Sequence, residues 1–255
     1  MENKILIAVI AHKPYPMSKD PIYVPVEVGA ASRTEHFFPN RDDQGENISL
    51  KNPYYCELTG LYWTYKNNDY DVLGLVHYRR YFMKNNLCFS KNLKNIISEK
   101  EINRLLSKYD FILPKKRHYW IETNYSHYAN AHKPEALDIA GEIIQKDYPE
   151  YYPSFKKRMA KRSGHYFNMF IAKKEIANKY LDWLFDILFK VEKRINLADY
   201  TGYDQRVFGF ISERLLDVFI DANHLTYHNQ RYVFMEKQNW FKKIAGFLKR
   251  HNAKK

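Results

Sequence analysis

The chain predicts an α/β fold with a mostly parallel central sheet, and three observations carry that prediction. Residues 72–76, Val-Leu-Gly-Leu-Val, are an uninterrupted apolar run of the kind found in strands covered on both faces. Similar short runs alternate with longer amphipathic stretches, the pattern of strand and helix units. At 255 residues the chain can bury a sizeable core around such a sheet.

Taken in order, residues 4–11 read as a first strand, followed by a loop punctuated by Pro14, Pro16 and Pro21. Residues 23–28 form a second short strand that ends at Gly29-Ala30-Ala31. Residues 33–51 are polar, contain Pro39 and Gly45, show no periodicity, and read as a mobile surface loop. An amphipathic helix over 57–66 stops at Asn67-Asn68 and leads into the strand over 72–76. Residues 98–108 read as helix and 109–114 as strand, with a basic end at Lys115-Lys116-Arg117. A Tyr- and His-rich stretch over 121–132 gives way to a helix over 134–147. Residues 165–172 predict another strand, 174–195 a long amphipathic helix, and Gly202-Tyr203-Asp204-Gln205-Arg206 opens a helix over 207–222. The expected organisation is one α/β domain over residues 1–235 and a basic amphipathic tail over 236–255.

Composition narrows the function classes. Charged residues at 27% and hydrophobic ones at 45% are ordinary, whereas aromatics at 16%, with 22 Tyr, are high. Tyr suits pockets for sugars or bases because the ring stacks while the hydroxyl bonds, although ordinary packing explains most of the enrichment. Cys56 and Cys88 form no metal spacing or disulfide framework, which predicts a cytosolic, reduced protein. No stretch resembles a signal peptide or a spanning helix, so membrane contact is expected to be peripheral. The net charge of +12 is uneven: residues 237–255 carry seven Lys or Arg and no acid. The body is near balance, which argues against a nucleic-acid-binding surface. Walker, Gly-x-Gly-x-x-Gly, His-Glu-x-x-His and Gly-x-Ser-x-Gly motifs are all absent.

The apolar run at 72–76 ends in His77-Tyr78-Arg79-Arg80-Tyr81-Phe82. Ligands of open α/β sheets bind beyond the carboxyl ends of the strands, and two guanidiniums there suit phosphate or carboxylate. Pairing of Arg79 and Arg80 with nearby carboxylates is the alternative. Asn168, polar in an apolar run, is either a substrate contact or a structural group satisfied by backbone. Asp204 is either a helix N-cap or a general base on an acceptor hydroxyl. The loop around Glu122, Tyr125 and His127 suits acceptor binding, with Glu122 a rival base. In the tail, Trp240, Phe241, Ile244, Phe247 and Leu248 share a helical face and Lys242, Lys243, Lys249 and Arg250 fall away from it. That describes an interfacial membrane anchor, the alternative being a helix packed on its own domain.

The order of these pieces resembles a bacterial glycosyltransferase family of capsular and exopolysaccharide loci, long catalogued as a domain of unknown function. The matching segments are Tyr23-Val24-Pro25-Val26-Glu27-Val28-Gly29-Ala30, Glu57-Leu58-Thr59-Gly60-Leu61-Tyr62-Trp63, Leu75 to Phe82, His165-Tyr166-Phe167-Asn168-Met169-Phe170 and Tyr203-Asp204-Gln205-Arg206. The resemblance implies a GT-A-like nucleotide-binding domain that transfers a hexose, with galactose or galactofuranose among the candidates. It implies a nucleotide-sugar donor, and the expected reaction takes a UDP-linked donor and a lipid-linked saccharide acceptor in capsule, exopolysaccharide or O-antigen synthesis, with the tail over 237–255 holding the protein at the inner face of the cell membrane. In the GT-A pattern the strand equivalent to 72–76 ends in Asp-x-Asp, which holds a divalent metal; here it ends in His77-Tyr78-Arg79. Fixed positive charge replaces metal-ligating oxygens, so no metal and no cofactor are expected, with metal dependence left open. The donor-binding residues expected are Ala11, His12, Tyr78, Arg79, Arg80 and Asn168. Tyr125, His127 and Gln205 are expected at the acceptor, and Asp204, His77 and Glu122 as catalytic groups. A non-catalytic nucleotide-sugar or glycan-binding module is the rival reading, and an RNA-binding protein ranks below both.

Overall fold

The computed structural model describes residues 3–88 and 91–236, so the tail and its amphipathic face lie outside the described residues. In chain order the strands are β1 (Ile5–Ala11), β2 (Tyr23–Glu27), β3 (Val72–His77), β4 (Arg80–Phe82), β5 (Phe111–Pro114), β6 (Arg117–His118), β7 (Ser163–Gly164), β8 (Phe170–Lys173), β9 (Tyr227–Gln230) and β10 (Tyr232–Phe234). The α-helices are α1 (Asn52–Tyr55), α2 (Leu58–Asn67), α3 (Glu99–Leu106), α4 (Asn124–Ala131), α5 (Glu135–Asp147), α6 (Tyr152–Ala160), α7 (Lys174–Glu192) and α8 (Val207–Ala222).

The main sheet runs β2-β1-β3-β8-β5-β9, with β4 and β10 continuing from the end of β3. The longest ladders, β1 with β2 and β1 with β3, are parallel, as is β5 with β9. β8 runs antiparallel between β3 and β5. Period-two alternation sends successive residues to opposite faces. Leu6, Ala8, Ile10, Leu73, Leu75 and Phe111 enter the core under α2, α5, α7 and α8. Ile5, Ile7, Val9, Val72, Val76 and Ile112 enter a second core under α3, with Tyr23, Ile97, Met83 and Met169. Both faces are covered, which is why β1 and β3 read as continuous apolar runs. Gly60 lets α2 lie close on the sheet, since a Cβ there would stand 2.7 Å from both Ile10 Cδ1 and Val28 Cγ1.

Three differences from the sequence expectation have physical causes. The stretch over 33–51 is fastened rather than loose. Asp42 is fully buried and accepts hydrogen bonds from the Gly29 and Ala30 amides and from the Ser49 and Thr59 hydroxyls. The strand expected from 165 starts at Phe170, because Phe167 and Asn168 hold φ of 75° and 54°, which extended backbone excludes. α4 takes up most of the Tyr- and His-rich stretch, closed by a capping box between Thr123 and Ser126. Among the described residues, no helix is long and apolar enough to cross a membrane.

Candidate functional site

The sheet topology brings the ends of β1 and β3, the start of β4 and the entry to β8 to one edge. β3 reverses through Tyr78-Arg79 so that His77 pairs with Arg80, and the amide of Tyr78 donates to the Ile10 carbonyl at the end of β1. β8 lies antiparallel to β3, so its entry at Phe167-Asn168 stands beside the carboxyl end of β3. His77 is buried and its Nε2–H donates to the Phe167 carbonyl at 2.7 Å. Burial pushes the His77 pKa down to about 4 despite the opposing carboxylate of Glu57. The ring is therefore neutral near pH 7 with its proton committed, which suits a hydrogen-bonding role better than that of a general acid.

Around that edge lies a ring of cations. The His12 pKa is lowered, first by loss of solvent and then by Lys13, Arg33, Arg79 and Arg206, which places four cationic side chains within electrostatic reach of one imidazole. Lys13 and Arg79 both approach the Glu236 carboxylate, at 3.8 and 3.6 Å, so a carboxylate of the chain itself sits between two cations as an anion would. Arg80 differs. Its guanidinium packs against the rings of Phe167 and Phe234, 4.6 and 4.9 Å from their centroids, and its Nε is buried without a hydrogen-bond partner among the described residues. Burial and then Arg79 lower its pKa. Tyr78 is buried and receives His12, Tyr15, Lys13 and Arg79 around its ring.

Opposite the cations stand carboxylates that sequence reasoning missed. Glu57 follows Cys56, whose φ of 53° and ψ of −126° break the chain between α1 and α2. Its carboxylate is 10% exposed, accepts from Asn168 Nδ2 at 2.8 Å, and lies 4.0 Å from Arg206. Asn168 also donates to the Gly209 carbonyl and accepts from Ser212, so its amide is consumed in holding Glu57 and the start of α8. Glu213 accepts the Phe167 amide at 2.9 Å, and burial raises its pKa, with Arg214 opposing. Three non-glycine residues with positive φ, Cys56, Phe167 and Asn168, thus converge on one group of side chains, where backbone strain of about 1 to 3 kcal/mol per residue is tolerated only if the surroundings impose it. The available signal was Ser212-Glu213-Arg214, three consecutive polar residues between the apolar runs 207–211 and 215–216 of α8. Glu57 had none, since a Glu at a helix start is ordinary.

The remaining expected residues divide. Ala11 is buried at the end of β1, beside His12. Asp204 caps no helix, since Thr201 stands before the short 3-10 turn Gly202–Arg206 and Arg206 before α8; its carboxylate accepts from His132 Nδ1 at 2.9 Å, and His132 stacks on both Tyr203 and Phe210. Gln205 is half-buried in the same turn, next to Arg206, whose Nε donates to Cys56 Sγ at 3.2 Å. His127 stacks on Tyr119 at 3.7 Å and accepts from Arg214. Glu122 accepts from Asn130, and Tyr125 donates to Asp138, so neither joins the cluster. Among the described residues, no group of three or more His, Cys, Asp or Glu is placed to hold a metal ion. The strand end where a divalent cation would sit carries guanidiniums, so this donor set does not fit one.

The solved apo structure of WbbM, a bifunctional glycosyltransferase, is similar to this chain, with a TM-score of 0.83 and 32% identity over 92% of the chain. The chain spans 46% of that protein's length. The α/β class with its mostly parallel central sheet is thus shared with a glycosyltransferase, as the resemblance implied. No curated protein matches the chain. Residues 5–224 match the model of a domain of unknown function, DUF4422, and the chain belongs to that family.

Proposed function

We propose that the protein is a glycosyltransferase that moves a hexose from a UDP-linked donor to a lipid-linked saccharide acceptor in surface-polysaccharide synthesis. The observation that carries the reading is the cluster of Lys13, Arg33, Arg79, Arg80 and Arg206, with the His12 imidazole among them, facing fixed carboxylates at the carboxyl ends of β1 and β3. The likeness to WbbM supports the activity class. In transfer, the bond between the anomeric carbon and the diphosphate oxygen breaks, and the acceptor oxygen bonds that carbon while its proton passes to a base. The guanidiniums stabilise the negative charge gathering on the leaving diphosphate. Asp204 and Glu57 are the carboxylates proposed for the acceptor proton, and Glu57 is the more firmly held.

A non-catalytic binding module would need the cations but not the carboxylates. The test is a melting-shift screen of nucleoside diphosphates and nucleotide sugars, followed by transfer to a saccharide acceptor with and without EDTA. Stabilisation by UDP-sugars and transfer that survives chelation are expected. Stabilisation without transfer or donor hydrolysis would leave the binding module. Loss of transfer in EDTA with recovery in Mn²⁺ would mean that other carboxylates bind a metal.

A further inference from the structure

The sharpest apolar exposure among the described residues is a pair of neighbours, Trp120 at 86% and Ile121 at 71%. Single exposed hydrophobes are ordinary, but two at one tip are not explained by packing. The tip is held firmly. β6 pairs with β7, the Tyr119 amide donates to the Arg162 carbonyl at 2.6 Å, Arg162 Nη1 donates to the Trp120 carbonyl, and the Thr123 cap of α4 follows at once. The chain thus spends backbone hydrogen bonds on presenting Trp and Ile to solvent.

The flanks are basic. Lys115, Arg117 and His118 on one side and Lys161 and Arg162 on the other are all exposed, while the nearby acid Glu122 is engaged by Asn130. We propose that this loop tip between β6 and α4 is a membrane-contacting wedge, Trp120 and Ile121 entering the headgroup boundary of an anionic bilayer while the flanking cations meet lipid phosphates. Trp favours that boundary, and juxtaposed Lys and Arg add Coulomb attraction. A sugar-stacking platform would use the Trp but would need neither Ile121 nor the cations. The tip stands one short strand from the candidate site, since Arg117 of β6 lies over the rings of Tyr166 and Phe167, and Phe167 accepts from His77. Docking there would hold the cleft near a lipid-linked acceptor. The inference deepens the proposed function at that point, yet its readout is lipid contact, which can fail while transfer to a soluble acceptor persists.

The test uses the full chain carrying Trp240→Phe. Trp63 and Trp183 are buried, so quenching of its tryptophan emission by brominated lipid reports Trp120. With vesicles of phosphatidylcholine and phosphatidylglycerol, quenching is expected and should weaken as salt rises. Trp120→Ser with Ile121→Ser, and separately Lys161→Glu with Arg162→Glu, should each lower vesicle affinity about tenfold or more. These positions are exposed, and an unchanged melting temperature would show that the fold is intact. The proposal is overturned if the protein sediments with vesicles without quenching of Trp120, if it binds no vesicles, if both double variants bind as the parent does, or if a soluble oligosaccharide and not lipid changes the Trp120 emission.

Discussion

Arg79 and Arg80 are neighbours with different surroundings, and their substitutions should differ. Arg79 is 40% exposed and bridged to Glu236, whereas Arg80 packs against the rings of Phe167 and Phe234. Either Arg→Ala change should lower turnover at least tenfold, from a loss of about 2 to 4 kcal/mol of leaving-group stabilisation, with the fold retained by circular dichroism. Arg80→Lys should not rescue, because an ammonium lacks the planar fork that a guanidinium offers to phosphate. Equal activity in a folded double variant would remove both from the donor site. His77 sets a pH dependence of stability. Its pKa falls from 6.5 to about 4 on folding, so between those values the unfolded chain binds the extra proton. Its contribution is whole above pH 6.5 and is lost as pH falls toward 4. Glu213, raised by burial, works in the opposite sense, so the comparison must be between the parent and His77→Gln. Gln can still donate to the Phe167 carbonyl but does not titrate, and its melting temperature should fall less between pH 6.5 and 4. Parallel curves would show that His77 is not buried neutral.

At the scale of elements, the long helices and the buried strands were legible, and the short pieces were not. α7 and α8 follow apolar periodicity, and β1 and β3 are apolar because both faces are covered. β4 and β10 are three residues each and exist because Arg80–Phe82 meets Tyr232–Phe234 across most of the chain, a pairing with no local signal. α6 went unread because its basic run, with Lys156 and Lys157 exposed, hides a buried Arg158 that pairs with Asp217 and Asp221. Asp42 shows the same limit in a loop. One buried carboxylate there satisfies two amides and two hydroxyls, and it joins the turn after β2 to α2. Asp42→Ala should cost about 3 to 5 kcal/mol in urea unfolding, since it strands several buried donors. A cost under about 1 kcal/mol would mean that water replaces the carboxylate.

For the whole molecule, charge distribution is the property to test. Deleting residues 237–255 removes seven positive charges, while the described sheet and cleft lie within residues 3–236. Transfer to a soluble acceptor should persist in the shortened protein, and binding to anionic vesicles should fall without vanishing if the Trp120 loop also engages lipid. Unchanged vesicle binding would remove the tail as an anchor. Loss of folding would show that Trp240 and Phe241 pack on the body instead.

The amino-acid sequence by itself determined the fold class, the main helices and the strand that delivers His77, Arg79 and Arg80, because hydrophobic periodicity and apolar runs are local properties of the chain. It also carried the family resemblance. Only the tertiary structure decided which carboxylates face those cations. Glu57 and Glu213 come from helices about 150 residues apart, and they meet because Phe167 and Asn168 leave the extended conformation at the mouth of β8. That meeting depends on strand order and on backbone held by distant partners, and neither is written in any short stretch of sequence.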